Sequence, residues 1–260
     1  MKKGKGVFAF IRYYIIKYLW LFVVMGFALF PFIWLVINSF KPAIEIFTPE
    51  PSLKIENPTL DNYKWALGPT GANLIGSLSN SFLTSAITAL MTIFFASTCG
   101  YALGRMKFKG INLIFILLIV FQMLQGPLIM IPWYKMASFF GIINTKLVLI
   151  LIYGTSTIPI SVWMMSGFYK TIPKDLEEAA MIDGCSPFMA FYKVIFPLGI
   201  PGLVSIGLYS FILSWNDYQY ALILTSSEKA KTVQIALAEL MSFLGKSNWG
   251  GILASGVIIS

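Results

Sequence analysis

Five long stretches of this chain carry no charge, and they constrain its fold more than any other feature. Lys17 and Lys41 enclose 23 uncharged positions, Lys64 and Arg105 enclose 40, and Lys109 and Lys135 enclose 25. Lys146 to Lys170 and Lys193 to Asp217 each enclose 23 more. A bilayer core of about 30 Å takes roughly 20 helical residues. Each gap therefore holds one spanning helix. The longest gap opens on Leu67-Gly68-Pro69-Thr70-Gly71, which breaks helices, so its span is placed at about 78–103. A sixth apolar run starts near Ile252, but the 14 residues after Lys246 reach only about 21 Å as helix. The expectation is a last span cut short at Ser260, because open carbonyls inside a bilayer are costly.

The first gap also resembles a signal peptide, with Lys2, Lys3, Arg12 and Lys17 ahead of it. Its apolar run is too long for that, contains Pro31 and Trp34, and lacks a small-x-small cleavage site before Ser39. An uncleaved first span is the better reading. The prediction is an all-α integral membrane protein, with a tail over 1–17 and a single membrane domain over 18–260. If the N-terminus is cytoplasmic, the inner segments 1–17, 104–110 and 169–196 hold 11 Lys and Arg in 52 residues. The outer segments 40–73, 132–146 and 216–249 hold 8 in 83. The inner density is about twice the outer, as the positive-inside rule requires. The net charge of +8 is thus a topology signal and not a mark of nucleic-acid binding.

Several chemistries are excluded. The chain has no His, so His-based acid–base catalysis and His-ligated metals are absent. Its two Cys lie 86 positions apart, which offers neither a disulfide scaffold nor a Cys-rich metal site. Gly245-Lys246-Ser247 looks like the end of a phosphate loop, but the required earlier Gly is Leu240. No ATP binding, cofactor or metal is expected in this chain. No acid or base falls inside a span, which argues against proton- or voltage-driven transport. Neutral polar groups do occur there. Gln122 and Gln125 sit three apart before Gly126-Pro127, and Thr155-Ser156-Thr157 precedes Pro159. They read either as helix–helix hydrogen bonds and kink repair, or as a polar stripe lining a passage for an uncharged solute.

The segment 171–201 reads as two short helices. Pro173 suits a first turn, while Asp175, Glu177 and Glu178 complement the helix N-terminus. Gly184 suits a left-handed turn at its end, Ser186-Pro187 reads as cap and first turn of the second helix, and Pro197 should close that helix. Ala179 and Ala180 beside Leu176 and Ile182 would let the first helix press into a groove on another protein, or lie on the membrane surface. In the outer segment 216–249, Val233, Leu237, Leu240, Met241 and Leu244 recur at helical spacing. The tip before them, 225–231, reads as polar and mobile.

Glu178-Ala179-Ala180, three residues, Gly184, nine residues, then Val194-Ile195-Phe196-Pro197 resembles the EAA loop of ABC importer membrane subunits, EAA-x3-G-x9-I-x-L-P. Val194 and Phe196 depart from it, apolar for apolar. Pro127, Ile131-Pro132-Trp133-Tyr134, Gly141-x2-Asn144-Thr145, Pro159-x3-Trp163, Trp215-Asn216-Asp217 and Asn248-Trp249-Gly250 are similar to the carbohydrate-uptake branch, in particular the shorter permease of maltose-type importers. The resemblance implies a six-span permease fold in a bacterial or archaeal cell membrane. It implies a homologous second permease, two ATP-binding subunits and an extracytoplasmic sugar-binding protein as partners. Within the EAA loop, over 169–196, it makes Glu177, Glu178, Ala179, Ala180, Asp183 and Gly184 the ATPase-coupling residues. It makes Ser226, Ser227, Glu228 and Lys229 the candidates for docking the binding protein. Asn216 joins Gln122 and Gln125 as a candidate for the solute pathway. The rival from another class is a self-contained channel or secondary carrier for a neutral polar solute, which leaves the EAA spacing unexplained.

Overall fold

The computed structural model describes residues 3–48, 52–69, 71–123, 126–242 and 248–260. All regular structure among them is helical. In chain order the helices are α1 (Lys3–Ser39), α2 (Ala43–Ile46), α3 (Asp61–Leu67), α4 (Leu74–Arg105), α5 (Ile111–Met123), α6 (Pro127–Phe139) and α7 (Lys146–Thr171). Then follow α8 (Asp175–Ile182), α9 (Pro187–Ala190), a π-helical turn (Phe191–Ile195), α10 (Phe196–Trp215), α11 (Gln219–Leu224), α12 (Val233–Ser242) and α13 (Trp249–Ile259). Among the described residues four helical stretches are long and apolar enough to cross a bilayer, Tyr13–Ser39, Leu74–Arg105, Lys146–Thr171 and Pro187–Trp215, and a fifth if the bent pair α5 and α6 counts as one span. The four fall in the first, second, fourth and fifth charge gaps. The helix break expected at 67–71 is present, since α3 ends at Leu67 and α4 starts at Leu74.

The third gap differs from expectation. It holds two 13-residue helices, α5 and α6, with a bend of 95° between them, instead of one straight span. At the break Gly126 takes φ +81° and ψ −143°, far from helical geometry, and Pro127 brings no backbone N–H to continue α5. The fifth gap differs in the opposite sense. Pro197 does not close the short helix before it. The chain stays helical from Pro187 to Trp215 because the turn ahead of Pro197 widens: the Phe196 N–H bonds Phe191 O, five residues back. A widened turn relieves the clash that a proline ring makes with the carbonyl four residues earlier. The sixth apolar run forms α13, of 11 residues.

The chain forms two compact units, one of residues up to Leu74 with Leu237–Ser260, the other Ile75–Ala236. In the first, the buried Asn62 donates from Nδ2 to Ser39 O at 2.8 Å and Lys41 O at 2.9 Å. The start of α13 lies against α3. A Cβ on Gly250 would stand 2.4 Å from Asn62 Oδ1, and one on Gly251 2.1 Å from the Trp65 ring. Asn248 caps α13 by accepting the Gly251 N–H at 3.0 Å. The Asn248-Trp249-Gly250 motif is thus a cap followed by a close helix approach.

In the second unit α4 and α7 meet where α4 carries Gly100 and Gly104. A Cβ on Gly104 would stand 2.8 Å from Ser166 O, and one on Gly100 2.9 Å from Met165 Cβ. This is the small-xxx-small contact that lets membrane helices touch backbone to backbone. Higher up, the Thr92 hydroxyl meets Thr157 Oγ1 at 2.9 Å and Ser210 Oγ at 3.0 Å, joining α4, α7 and α10. One apolar cluster, including Tyr101, Met165, Tyr169, Phe191 and Ile195, is built from α4, α7, the π turn and α10. A second, including Leu149, Ile152, Ala221 and Leu224, draws on α6, α7, α11 and α12.

Gly104→Ala should lower stability by about 1–3 kcal/mol, since a backbone carbonyl cannot turn aside as a side chain can. Gly26→Ala, with open space around it, should not. Thermal midpoints of the two detergent-solubilised variants test this, and equal midpoints would contradict the close contact.

Candidate functional site

The loop that carries the EAA spacing follows α7. Ile172 is extended, with ψ 130°, as a residue before proline must be. Pro173 accordingly ends the preceding helix rather than starting the next one, and α8 begins at Asp175. Glu177 and Glu178 close its first turn with N–H bonds to Lys174 O at 2.9 and 3.0 Å. The far end is a Schellman cap: Gly184 N–H bonds Met181 O at 3.1 Å and Cys185 N–H bonds Ala180 O at 3.0 Å. Gly184 sits at φ +89°, the left-handed geometry expected from its position. The Ser186 Oγ then accepts the Met189 N–H and caps α9, with Pro187 in the first turn.

The predicted coupling residues divide between two faces. Glu178, Ala179, Asp183 and Gly184 are exposed, while Ala180 is buried. Glu177 turns inward. Its side chain is 15% exposed and accepts a short hydrogen bond from the Tyr101 hydroxyl, while Oε2 lies 3.8 Å from Arg105 Nε. Beside the exposed acids lies a run of exposed apolar side chains, Leu176, Ile182, Phe188, Met189 and Tyr192, with Ile182 86% and Phe188 76% accessible. The outward face is therefore apolar with a rim of carboxylates.

Of the predicted pathway residues, Gln122 lines a cavity of about 370 Å³. Tyr153, Ser156, Tyr209, Asp217 and Tyr220 are among its walls. Buried Gln122 Oε1 has no hydrogen-bond partner among the described residues. Gln125 lies outside the described residues. Asn216 is not in the cavity wall; its Nδ2 bonds Ile212 O of its own helix at 3.0 Å, and its neighbour Asp217 takes the place expected of it. Asp217 Oδ2 accepts the Tyr153 hydroxyl at 3.0 Å and the Ala221 N–H at 3.1 Å. Burial raises the Asp217 carboxyl above its ordinary range, and these donors work against that shift.

The tip 225–231, expected to be mobile, has its backbone bonded by two distant asparagines. Asn144, at φ +63°, accepts the N–H groups of Ser226 and Ser227 at 3.0 Å each through Oδ1 and donates from Nδ2 to Ser227 Oγ at 2.8 Å. Asn80 Nδ2 donates to the carbonyls of Glu228 and Lys231 at 3.0 Å each. Thr225 and Ala230 are buried, whereas Ser226, Glu228 and Lys229 present exposed side chains on this fixed backbone. The expected helix behind the tip is present as α12, with Leu244 outside the described residues. Sequence reasoning passed over Asn80, Tyr101 and Arg105 as site residues. A GxxxG spacing at 100–104 was the available signal for the last two; nothing in the local sequence marks Asn80.

Asn144→Ala removes the acceptor of two tip N–H groups, a loss of about 2 kcal/mol at roughly 1 kcal/mol per net hydrogen bond. Amide hydrogen exchange at Ser226 and Ser227 should then speed up about 30-fold. Unchanged exchange would mean that Asn144 does not hold the tip.

Comparison with known proteins fits this arrangement. Residues 72–260 match a family described as "Binding-protein-dependent transport system inner membrane component". The trehalose/maltose transport system permease protein MalG of Thermococcus litoralis is 33% identical over 88% of this chain and 82% of its own length. The trehalose transport system permease protein SugB of Mycobacterium tuberculosis is 33% identical over 92% and 86%. The inner membrane ABC transporter permease protein YcjP of Escherichia coli is 32% identical over 88% and 82%. A solved bacterial ABC transporter involved in import of the acidic polysaccharide alginate has the same fold, with a TM-score of 0.80 at 20% identity over 100% of this chain and 92% of that one. The chain belongs to the family of binding-protein-dependent transport system inner membrane components: it is a multi-pass membrane permease subunit of an ABC importer.

Proposed function

We propose that this chain is one of two homologous permeases that together form the passage of an ATP-driven importer for a neutral oligosaccharide. One of two ATP-binding subunits docks on its EAA loop from the cytoplasm, the other on the partner permease, and an extracytoplasmic sugar-binding protein delivers the solute to the opposite side. The chain itself carries out no chemistry. The observation that carries this reading is the outward face of 175–192. Apolar Leu176, Ile182, Phe188 and Met189 stand exposed within a rim of Asp175, Glu178 and Asp183, a composition suited to a protein groove with a basic edge. A channel or self-contained carrier has no use for such a face. Relatives named for trehalose and maltose support a sugar as the solute, as does a cavity whose wall combines hydrogen-bonding groups, Gln122, Ser156 and Asp217 among them, with tyrosine rings. Gln122 is assigned to the solute pathway, and the exposed side chains Ser226, Glu228 and Lys229 to the contact with the binding protein.

Gly184→Val forces a branched side chain into a left-handed conformation. At about 1–2 kcal/mol this depletes the docking conformation about 5- to 30-fold. Sugar uptake should fall accordingly at an unchanged level of inserted protein, and Glu178→Lys should uncouple by reversing charge on the docking face. Normal uptake by both variants, measured in cells that carry the full importer, would reject the docking face.

With the N-terminus cytoplasmic, Cys185 lies on the inner side. An impermeant maleimide should leave it unlabelled in intact cells and label it in inside-out vesicles. Labelling from outside would invert the topology.

A further inference from the structure

We infer that Arg105 and Tyr101, at the cytoplasmic end of α4, are the positioning residues that make the coupling helix move together with the membrane spans. The inference rests on the docking face proposed above and concerns what lies behind it. Helix α8 has eight residues and is joined to α7 through the non-helical residues Ile172 to Lys174. A link of that kind would let α8 swing under an outside force without moving α7. The side chains on its inner face decide whether it can. Arg105, its side chain 3% exposed, donates from Nη2 to Ile172 O at 2.7 Å and stands 3.8 Å from Glu177 Oε2 through Nε. The Tyr101 hydroxyl holds the other oxygen of the same carboxylate.

One guanidinium thus joins three elements. It grows from the end of α4, satisfies a carbonyl at the C-terminus of α7 that helix geometry leaves free, and pairs with the first turn of α8. Both ends of the pair sit where helix dipoles favour them, a cation at the end of α4 and an anion at the start of α8. Tyr101 and Arg105 are four apart and share a face of α4. The glycines immediately before them, Gly100 and Gly104, press α4 against Met165 and Ser166 of α7. Pulling α8 away would strand two buried, opposite charges, so α8 carries the ends of α4 and α7 with it. Arg105 Nε makes no hydrogen bond among the described residues, and 3.8 Å is an ion-pair distance longer than a hydrogen bond.

The test uses the complete importer, reconstituted in liposomes with its ATPase subunits and sugar-loaded binding protein, and reads sugar imported per ATP hydrolysed. A contact that only holds the fold together would change the yield of complex and not this ratio. Arg105→Gln should lower the ratio by about tenfold. Arg105→Lys should recover part of it, since one ammonium can pair with Glu177 but cannot also reach Ile172 O as the guanidinium fork does. Tyr101→Phe keeps the ring packing, removes only the hydroxyl, and should lower the ratio about threefold. If Arg105→Gln does not assemble, Tyr101→Phe decides. An unchanged ratio in the assembled variants, beside a coupled wild type, overturns the positioning role and leaves the docking face standing. A wild type that imports no sugar rejects the docking face and this inference with it.

Discussion

The backbone-to-backbone contact of α4 with α7 at Gly100 and Gly104 sets the position of most groups that matter in the larger unit. Two helices without Cβ atoms between them can approach until Ser166 O lies against α4. Below this contact, Tyr101 and Arg105 are thereby brought to the start of α8. Above it, Thr92 reaches Thr157 and Ser210, and Thr157 lines the cavity together with Ser156 beside it and Tyr153 one turn earlier on α7. Apolar contacts fill the surroundings but do not fix this register, because in a bilayer lipid tails compete with side chains for apolar surface. Steric approach and a few neutral hydrogen bonds fix it.

The departures from regular helix have a common logic. In hydrocarbon a free backbone group costs several kcal/mol, so a helix can be interrupted only where something else satisfies it. At Pro197 the widened turn does this, with Phe196 N–H reaching Phe191 O. At Gly184 the Schellman bonds to Ala180 O and Met181 O do it. At the α7 terminus the guanidinium of Arg105 does it. Two of these three places lie in the EAA loop and the third directly follows it. The loop is thus kept irregular without leaving polar backbone groups stranded where it meets the membrane.

Much of this was legible in the sequence because it depends on local chemistry. Charge gaps report span positions since a buried charge is expensive wherever it stands, and four of the five gaps contain an unbroken span. Gly184 and Ser186-Pro187 were legible because a left-handed turn and a helix cap each depend on one or two residues. The misreadings arose where distant residues decide. Pro127 and Pro197 look alike in sequence, yet one ends a helix and the other is absorbed, and only the neighbouring turn distinguishes them. The tip 225–231 reads as mobile from its Ser and Lys content, but Asn144 and Asn80, some 80 and 150 positions earlier, hold its backbone. Glu177 and Glu178 are adjacent acids with opposite exposures, because the inward one has a cation waiting on α4.

The same separation of satisfied from unsatisfied groups bears on where a solute can be recognised. The spans of the larger unit contain many hydroxyls, and most bond back to the carbonyl one turn earlier, as Thr84 does to Asn80 O and Thr88 to Thr84 O. A hydroxyl committed in this way has given up its proton and keeps only acceptor capacity for a sugar hydroxyl. Among the described residues a few buried side-chain polar atoms stay unpaired, Ser85 Oγ, Ser161 Oγ, Tyr169 Oη and Gln122 Oε1 among them. Of these four only Gln122 borders the cavity near Tyr209 and Tyr220. An orphaned acceptor on a residue that shares a cavity wall with tyrosines is the observation behind the proposed pathway role of Gln122.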